Sequence, residues 1–161
     1  MSIRIIVKDP DPVLREEAKE VTKFNPNLKK LLKDMAETMY DAEGVGLAAP
    51  QIGISKRVIV VDIGDETGLI EMVNPVIVEQ EGEQLGPEGC LSIPNLNGEV
   101  MRADRIVVKG QNSDGEYFTV EASGYLSRAF QHEVDHLNGI LFTDLAESIY
   151  DISERPRKGG E

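Results

Sequence analysis

The order of residue patterns along this 161-residue chain predicts an α+β fold. Small, mostly antiparallel twisted sheets should pack around a C-terminal helix, with an amphipathic helix near the N-terminus. Three observations carry the prediction. Apolar residues recur at helical spacing from Leu28 to Met39, β-branched segments broken by turn residues fill the middle, and a second helical pattern runs from Gly124 to Asn138. Helix, strands, then helix is not the strict alternation of a doubly wound parallel sheet.

A short first strand is expected before the turn signal "DPDP" at Asp9 to Pro12. Asn25 and Pro26 read as the cap and first turn of a helix in which Leu28, Leu31, Leu32, Met35 and Met39 share one face, ending before Gly44. "GVGLAAPQIG", Gly44 to Gly53, has the glycines and small alanines of a tightly packed loop that something approaches closely. "RVIVVDI" reads as a strand. "LIEMVNPVIVEQ" is a second extended segment, in which Pro75 is confined to an edge or a bulge because it cannot donate to a ladder. "MRADRIVVKG" and "EYFTVEA" flank "QNSDG" as a hairpin turning at Asp114 and Gly115. The last helix, "GYLSRAFQHEVDHLN", stops at Gly139. No repeat or linker interrupts the chain, so residues 1–161 form one domain, with a frayed tail from about residue 151 marked by Pro156, Gly159 and Gly160.

Composition narrows the function. Lys and Arg total 17 against 29 Asp and Glu, and a formal charge of −12 repels phosphate backbones and anionic headgroups, which excludes direct nucleic-acid reading and membrane binding. No apolar run approaches membrane-spanning length, and the first residues lack the apolar core of a signal peptide. A single cysteine, Cys90, rules out an intramolecular disulfide and fits a cytoplasmic setting.

The chemistry concentrates in "QHEVDH". On a wheel at 100° per residue, Leu126, Phe130, Val134 and Leu137 gather on one side of the last helix, and Tyr125, Ala129, His132, Glu133 and His136 on another. A lone helix histidine is usually a surface or core residue. Here the only two histidines stand four apart, so both imidazoles reach one cation, and Glu133 lies beside a water on it. A catalytic divalent site takes a third protein ligand. The acidic residues Asp144 and Glu147 lie downstream, and Cys90 in "EGCLS" lies upstream. A free cysteine is most often a buried small hydrophobe, and it also suits a nucleophile with a histidine base, while beside two imidazoles a thiolate is one candidate to complete a His₂Cys set.

With these residues in view the chain resembles the peptide deformylases, through "GVGLAAPQ" at Gly44 to Gln51, "EGCLS" at Glu88 to Ser92 and "QHEVDH" at Gln131 to His136. The early "DPVLREEAKEV" and the strand "RVIVVDI" also look like the family. The resemblance implies removal of the N-formyl group from the formylmethionine of nascent polypeptides. It implies one divalent metal on Cys90, His132 and His136, natively Fe2+, with Zn2+, Ni2+ or Co2+ also able to occupy the site. Glu133 then takes a proton from the attacking water and hands it to the departing amine. The Gln51 side-chain amide and the Leu91 backbone N–H are expected to hold the formyl oxygen as charge builds on it.

By the same resemblance, backbone at Val45, Gly46 and Gly89 pairs with the extended substrate, and Tyr125, Arg128 and Ala129 line the methionine pocket, Arg128 with its stem while its charge stays in water. Asp135 is expected to pair with Arg102 and brace the metal-binding helix. Some relatives continue into a long basic C-terminal helix that docks on the ribosome. This sequence instead ends "LAESIYDISERPRKGGE", so the ribosome exit region is an expected partner and its docking mode is open. The competing reading, a broad HExxH-type zinc metalloprotease, requires the third ligand downstream. A non-catalytic metal module would need a fourth protein ligand.

Overall fold

The computed structural model describes residues 3–152. In chain order the elements are α1 (Pro26–Asp41), β1 (Gly46–Ala48), β2 (Val58–Val61), β3 (Ile70–Glu81), β4 (Gln84–Cys90), β5 (Ile93–Arg102), β6 (Arg105–Gln111), β7 (Tyr117–Ser123), α2 (Gly124–Leu137), α3 (Phe142–Leu145) and β8 (Ser148–Asp151). Every strand pair is antiparallel: five strands run in the order β1-β2-β3-β6-β7 and three in the order β4-β5-β8. This is the α+β arrangement that the sequence predicts.

α1 begins where the sequence places it, with the Asn25 side chain accepting from Leu28 N at 3.1 Å and Pro26 in the first turn. Its apolar face, including Met35 and Met39, packs on Leu47, Val58 and Val60 to form one core. α2 lies across the five-stranded sheet and buries Leu126, Phe130, Val134 and Leu137 against Ile59, Met72, Ile106 and Val108. Each fully buried side chain of this size contributes roughly 1.5–3 kcal/mol, so these rows fix the helix position. The second face of α2 is also buried, since His132, Glu133 and His136 have relative exposures of 8%, 4% and 1%. Ala129, on the chemical side of the wheel, packs in the same core as Phe130. The helix ends at Leu137, and Gly139, two residues on, has a φ of 73° and a close approach to the Arg15 carbonyl that both require glycine.

Several expectations are corrected. Residues 3–8 form no strand; their donors go to a side chain and a turn, with Arg4 N bonded to Thr38 Oγ1 and Val7 N to the Gln51 carbonyl, both at 2.8 Å. Pro75, by contrast, takes one of its two expected places, in an interior strand at a bulge between Val73 and Val76. There Asn74, with φ 52°, exchanges side-chain hydrogen bonds with the backbone of Val21. The "GVGLAAPQIG" segment is strand β1 followed by a 3-10 turn over Ala49–Ile52. "MRADRIVVKG" is divided: Met101 and Arg102 end β5 in the small sheet, and Arg105 starts β6 in the large one. Of the expected tail, Asp151 closes β8, and residues 153–161 lie outside the described residues.

Candidate metal centre and active-site cleft

Two segments distant in sequence meet at one point. β4 delivers Cys90 at its end, where a register shift after Gly89 breaks the ladder with β5, and α2 delivers His132 and His136 one turn apart. His136 Nε2 lies 3.3 Å from Cys90 Sγ and 3.2 Å from His132 Nε2. The three ligand atoms all fall within 4.8 Å of one another, and among the described residues no other group of three His, Cys, Asp or Glu side chains does so. Two imidazole nitrogens and a sulfur converging in a buried site is a donor set that a cation satisfies.

The surroundings favour that occupant. His132 Nδ1 is engaged by Glu88 Oε1 at 2.9 Å, which leaves Nε2 directed at the centre. Burial pushes the Glu88 carboxyl up, but hydrogen bonds from Arg102 and His132 outweigh it and bring it down to about 2. Burial, reinforced by the neighbouring His132, holds His136 well below the usual histidine range, whereas at His132 burial is outweighed by hydrogen bonds with Cys90 and Glu88, which hold it well above that range in the metal-free protein, so a cation binding here displaces the His132 proton. His136 Nδ1 and Glu133 Oε1 are buried with no hydrogen-bond partner among the described residues.

Glu133 faces the centre from α2, with its carboxylate against the backbone of β1. A Cβ on Gly46 would lie 2.4 Å from Glu133 Oε2, so glycine is required for the carboxylate to sit there. Burial pushes Glu133 up to about 7 in the metal-free protein, near the range suited to a proton carrier at neutral pH. Buried Gln51 is fixed from both ends: its Oε1 accepts from Ala48 N at 3.0 Å, and its Nε2 donates to Ser92 Oγ at 3.2 Å and reaches Cys90 Sγ at 3.5 Å.

One cleft joins these parts. Val45, Gly46, Gln51, Gly89, Cys90, Leu91, Tyr125, Arg128, Ala129, His132 and Glu133 all border it. Asp135 and Arg102 lie behind the centre, with Arg102 Nη1 bonded to Asp135 Oδ2 at 2.6 Å. The Arg128 expectation is wrong in one respect. Its guanidinium is not in water; the residue is 4% exposed and its Nη1 donates to Glu88 Oε2 at 2.7 Å and to the Val100 carbonyl at 2.9 Å. A buried carboxylate nearby removes the reason for the charge to reach solvent.

Sequence reasoning missed Glu88, which sat inside "EGCLS" as a signal but whose burial no local pattern reveals. It also left Gln131 without a role. That side chain accepts from Ala103 N at 3.1 Å and donates to its carbonyl at 2.9 Å, tying α2 to the connection between the two sheets. The downstream residue Asp144 is committed elsewhere, to Arg15 and to Leu141 N.

Comparison with known proteins gives the same answer. Residues 3–151 match the family described as Polypeptide deformylase. The chain is 56% identical over 154 residues to "Peptide deformylase 1" of Bacillus anthracis, covering 96% of this chain and 99% of that one. The crystal structure of peptide deformylase from Thermotoga maritima superposes with a TM-score of 0.88 at 49% identity, covering 92% of this chain and 100% of that one. That of a peptide deformylase from Legionella pneumophila gives 0.87 at 48% identity, covering 91% and 87%. The chain belongs to the polypeptide deformylase family, hydrolases of protein biosynthesis that remove the N-formyl group from nascent polypeptides.

Proposed function

We propose that Cys90, His132 and His136 hold one divalent metal, natively Fe2+, and that Glu133 runs the proton traffic of deformylation beside it. The donor set suits iron and zinc alike, with Ni2+ and Co2+ as further occupants, and the family resemblance favours iron. When bound, the metal supplies Lewis acidity, which acidifies water and polarises the formyl carbonyl. Glu133 accepts the proton of the attacking water and returns it to the amine that leaves as the C–N bond breaks, so formate and a free N-terminus result. The Gln51 amide and the Leu91 backbone N–H hold the formyl oxygen while negative charge builds on it. Gln51 suits this role because its own amide oxygen is anchored on Ala48 N, so Nε2 is already oriented.

The substrate's first residue lies along Val45, Gly46 and Gly89 as an added strand, with its methionine side chain against Tyr125, Ala129 and the stem of Arg128. The strand edge at β1 and the cleft position of these residues support this placement. Nascent chains place the enzyme near the ribosome exit region in the cytoplasm. A lone cysteine and the lack, among the described residues, of any helix long and apolar enough to cross a membrane are compatible with that setting. A broad HExxH-type zinc protease is disfavoured because Asp144, one of its two candidate downstream ligands, is paired with Arg15.

The observation that carries the reading is the buried Glu133 carboxylate, one oxygen unpartnered, beside three convergent ligands. Its test is Glu133→Gln. This variant should keep its metal and lose about 10²–10⁴-fold in turnover, the usual worth of a positioned acid-base group. Turnover near wild type with metal bound would refute the proton relay.

A further inference from the structure

We propose that Arg128 is a positioning residue of the metal centre, acting through Glu88 to fix His132 with Nε2 toward the metal. The proposal rests on the reading of Cys90, His132 and His136 as ligands and goes beyond it, because Arg128 touches none of the three among the hydrogen bonds described above.

Glu88 is almost fully enclosed, with a side-chain exposure of 4%, and its carboxylate receives four donors. Oε2 accepts from Arg102 Nε and Arg128 Nη1, both at 2.7 Å, and Oε1 accepts from Arg102 Nη2 at 2.8 Å and His132 Nδ1 at 2.9 Å. Charges do not divide evenly. Arg102 supplies two of the four and is shared with Asp135, whereas Arg128 supplies a third and meets no other carboxylate among the described ion pairs. With Arg128 in place the carboxylate stays a spread, four-bonded acceptor, and the imidazole keeps its Nδ1–H and its orientation.

Arg128 also spans the centre mechanically. It sits one helical turn before His132 on α2, and its remaining donors reach the Gln84, Gly86 and Val100 carbonyls on β4 and β5. β4 is the strand that ends in Cys90. One guanidinium therefore ties the helix bearing two ligands to the strand bearing the third. The strand is shaped to receive it: a Cβ on Gly86 would lie 3.1 Å from Arg128 Nη2, so glycine there leaves room for the fork.

The test uses full-length protein loaded anaerobically with Co2+, read by its visible spectrum and by the rate of metal loss to a chelator. Arg128→Met should release metal about tenfold faster, the lower end of the 10–100-fold typical for partners of metal ligands, and shift the cobalt bands. Arg128→Lys, which keeps the charge but not the fork, should recover part of the loss. A lower melting temperature with wild-type bands and release rate would overturn the proposal, leaving Arg128 a structural residue only.

The decisive arm is Glu88→Gln against Glu88→Gln/Arg128→Met. The double variant removes both partners of a buried pair and so remains testable even where Arg128→Met alone does not fold. If Arg128 acts chiefly through Glu88 the two release rates agree to within about twofold, the remainder being its bonds to β4 and β5 carbonyls, whereas a further tenfold acceleration in the double variant contradicts it. Failure of the wild-type protein to bind Co2+ would instead refute the ligand assignment itself.

Discussion

Replacing Gly46 with alanine adds a single methyl group at the most crowded point of the active site. The new Cβ would lie 2.4 Å from Glu133 Oε2 and 2.9 Å from both Cδ and Cγ. Ordinary contact needs about 3.5 Å, so the carboxylate must retreat by roughly 1 Å. Because α2 is held by its apolar row, the helix does not follow and the adjustment falls on the Glu133 side chain itself. A displacement of about 1 Å in a reacting group costs on the order of 10²-fold in rate. The Cys90, His132 and His136 donors are untouched, so metal content should be unchanged, while overpacking costs roughly 1–3 kcal/mol of stability. Steady-state formate release, metal analysis and a thermal melt on one preparation check this. A kcat within threefold of wild type, with metal bound, would refute the account of how Glu133 is placed.

Two further substitutions probe other parts of the structure. Cys90→Ser replaces the soft thiolate with a hydroxyl and should abolish most metal binding and formate release together; a protease using a downstream ligand would keep both. Asp34→Asn tests the anchoring of the N-terminal segment on α1. Asp34 accepts from Arg4 Nε at 3.0 Å, Arg4 Nη2 at 2.7 Å and Lys30 Nζ at 3.2 Å. Burial pushes its carboxyl up, but these donors outweigh it and hold it below the usual aspartate range. A depressed folded-state pKa gives stability that is present above the unfolded value, near 4, and lost as pH falls through the folded one. Urea titrations should therefore show the variant less stable by about 1–2 kcal/mol at pH 7, with the gap closing below about pH 4. A gap independent of pH would contradict the charge-based account.

The site was more legible than the frame that holds it. Metal ligation and proton transfer demand particular residue types at short spacings, so His132, Glu133 and His136 stand out on one helix turn, and Cys90 follows from the missing third ligand and the family likeness. α1 was equally readable because its cap, proline and apolar period agree. β4 and β5 were not. "QLGPEGC" and "IPNLNGEVMR" contain the glycines, prolines and asparagines that mark turns, and they form strands because they pair with each other and with β8. The same non-local pairing hid Glu88 and turned Arg128 inward, since neither burial nor a partner about 40 residues away leaves a local pattern. Pro75 shows the converse: the sequence correctly limits it to an edge or bulge, and only the place of β3 between β2 and β6 decides between them.

The reaction proposed for this centre is hydrolysis of a formyl amide. Its most direct test is formate release from formyl-Met-Ala-Ser by anaerobically prepared, metal-loaded protein. One formate and one free methionine amine should appear per substrate consumed, with internal peptide bonds intact. Metal-loaded protein that releases no formate, or that cuts Met-Ala instead, would contradict it.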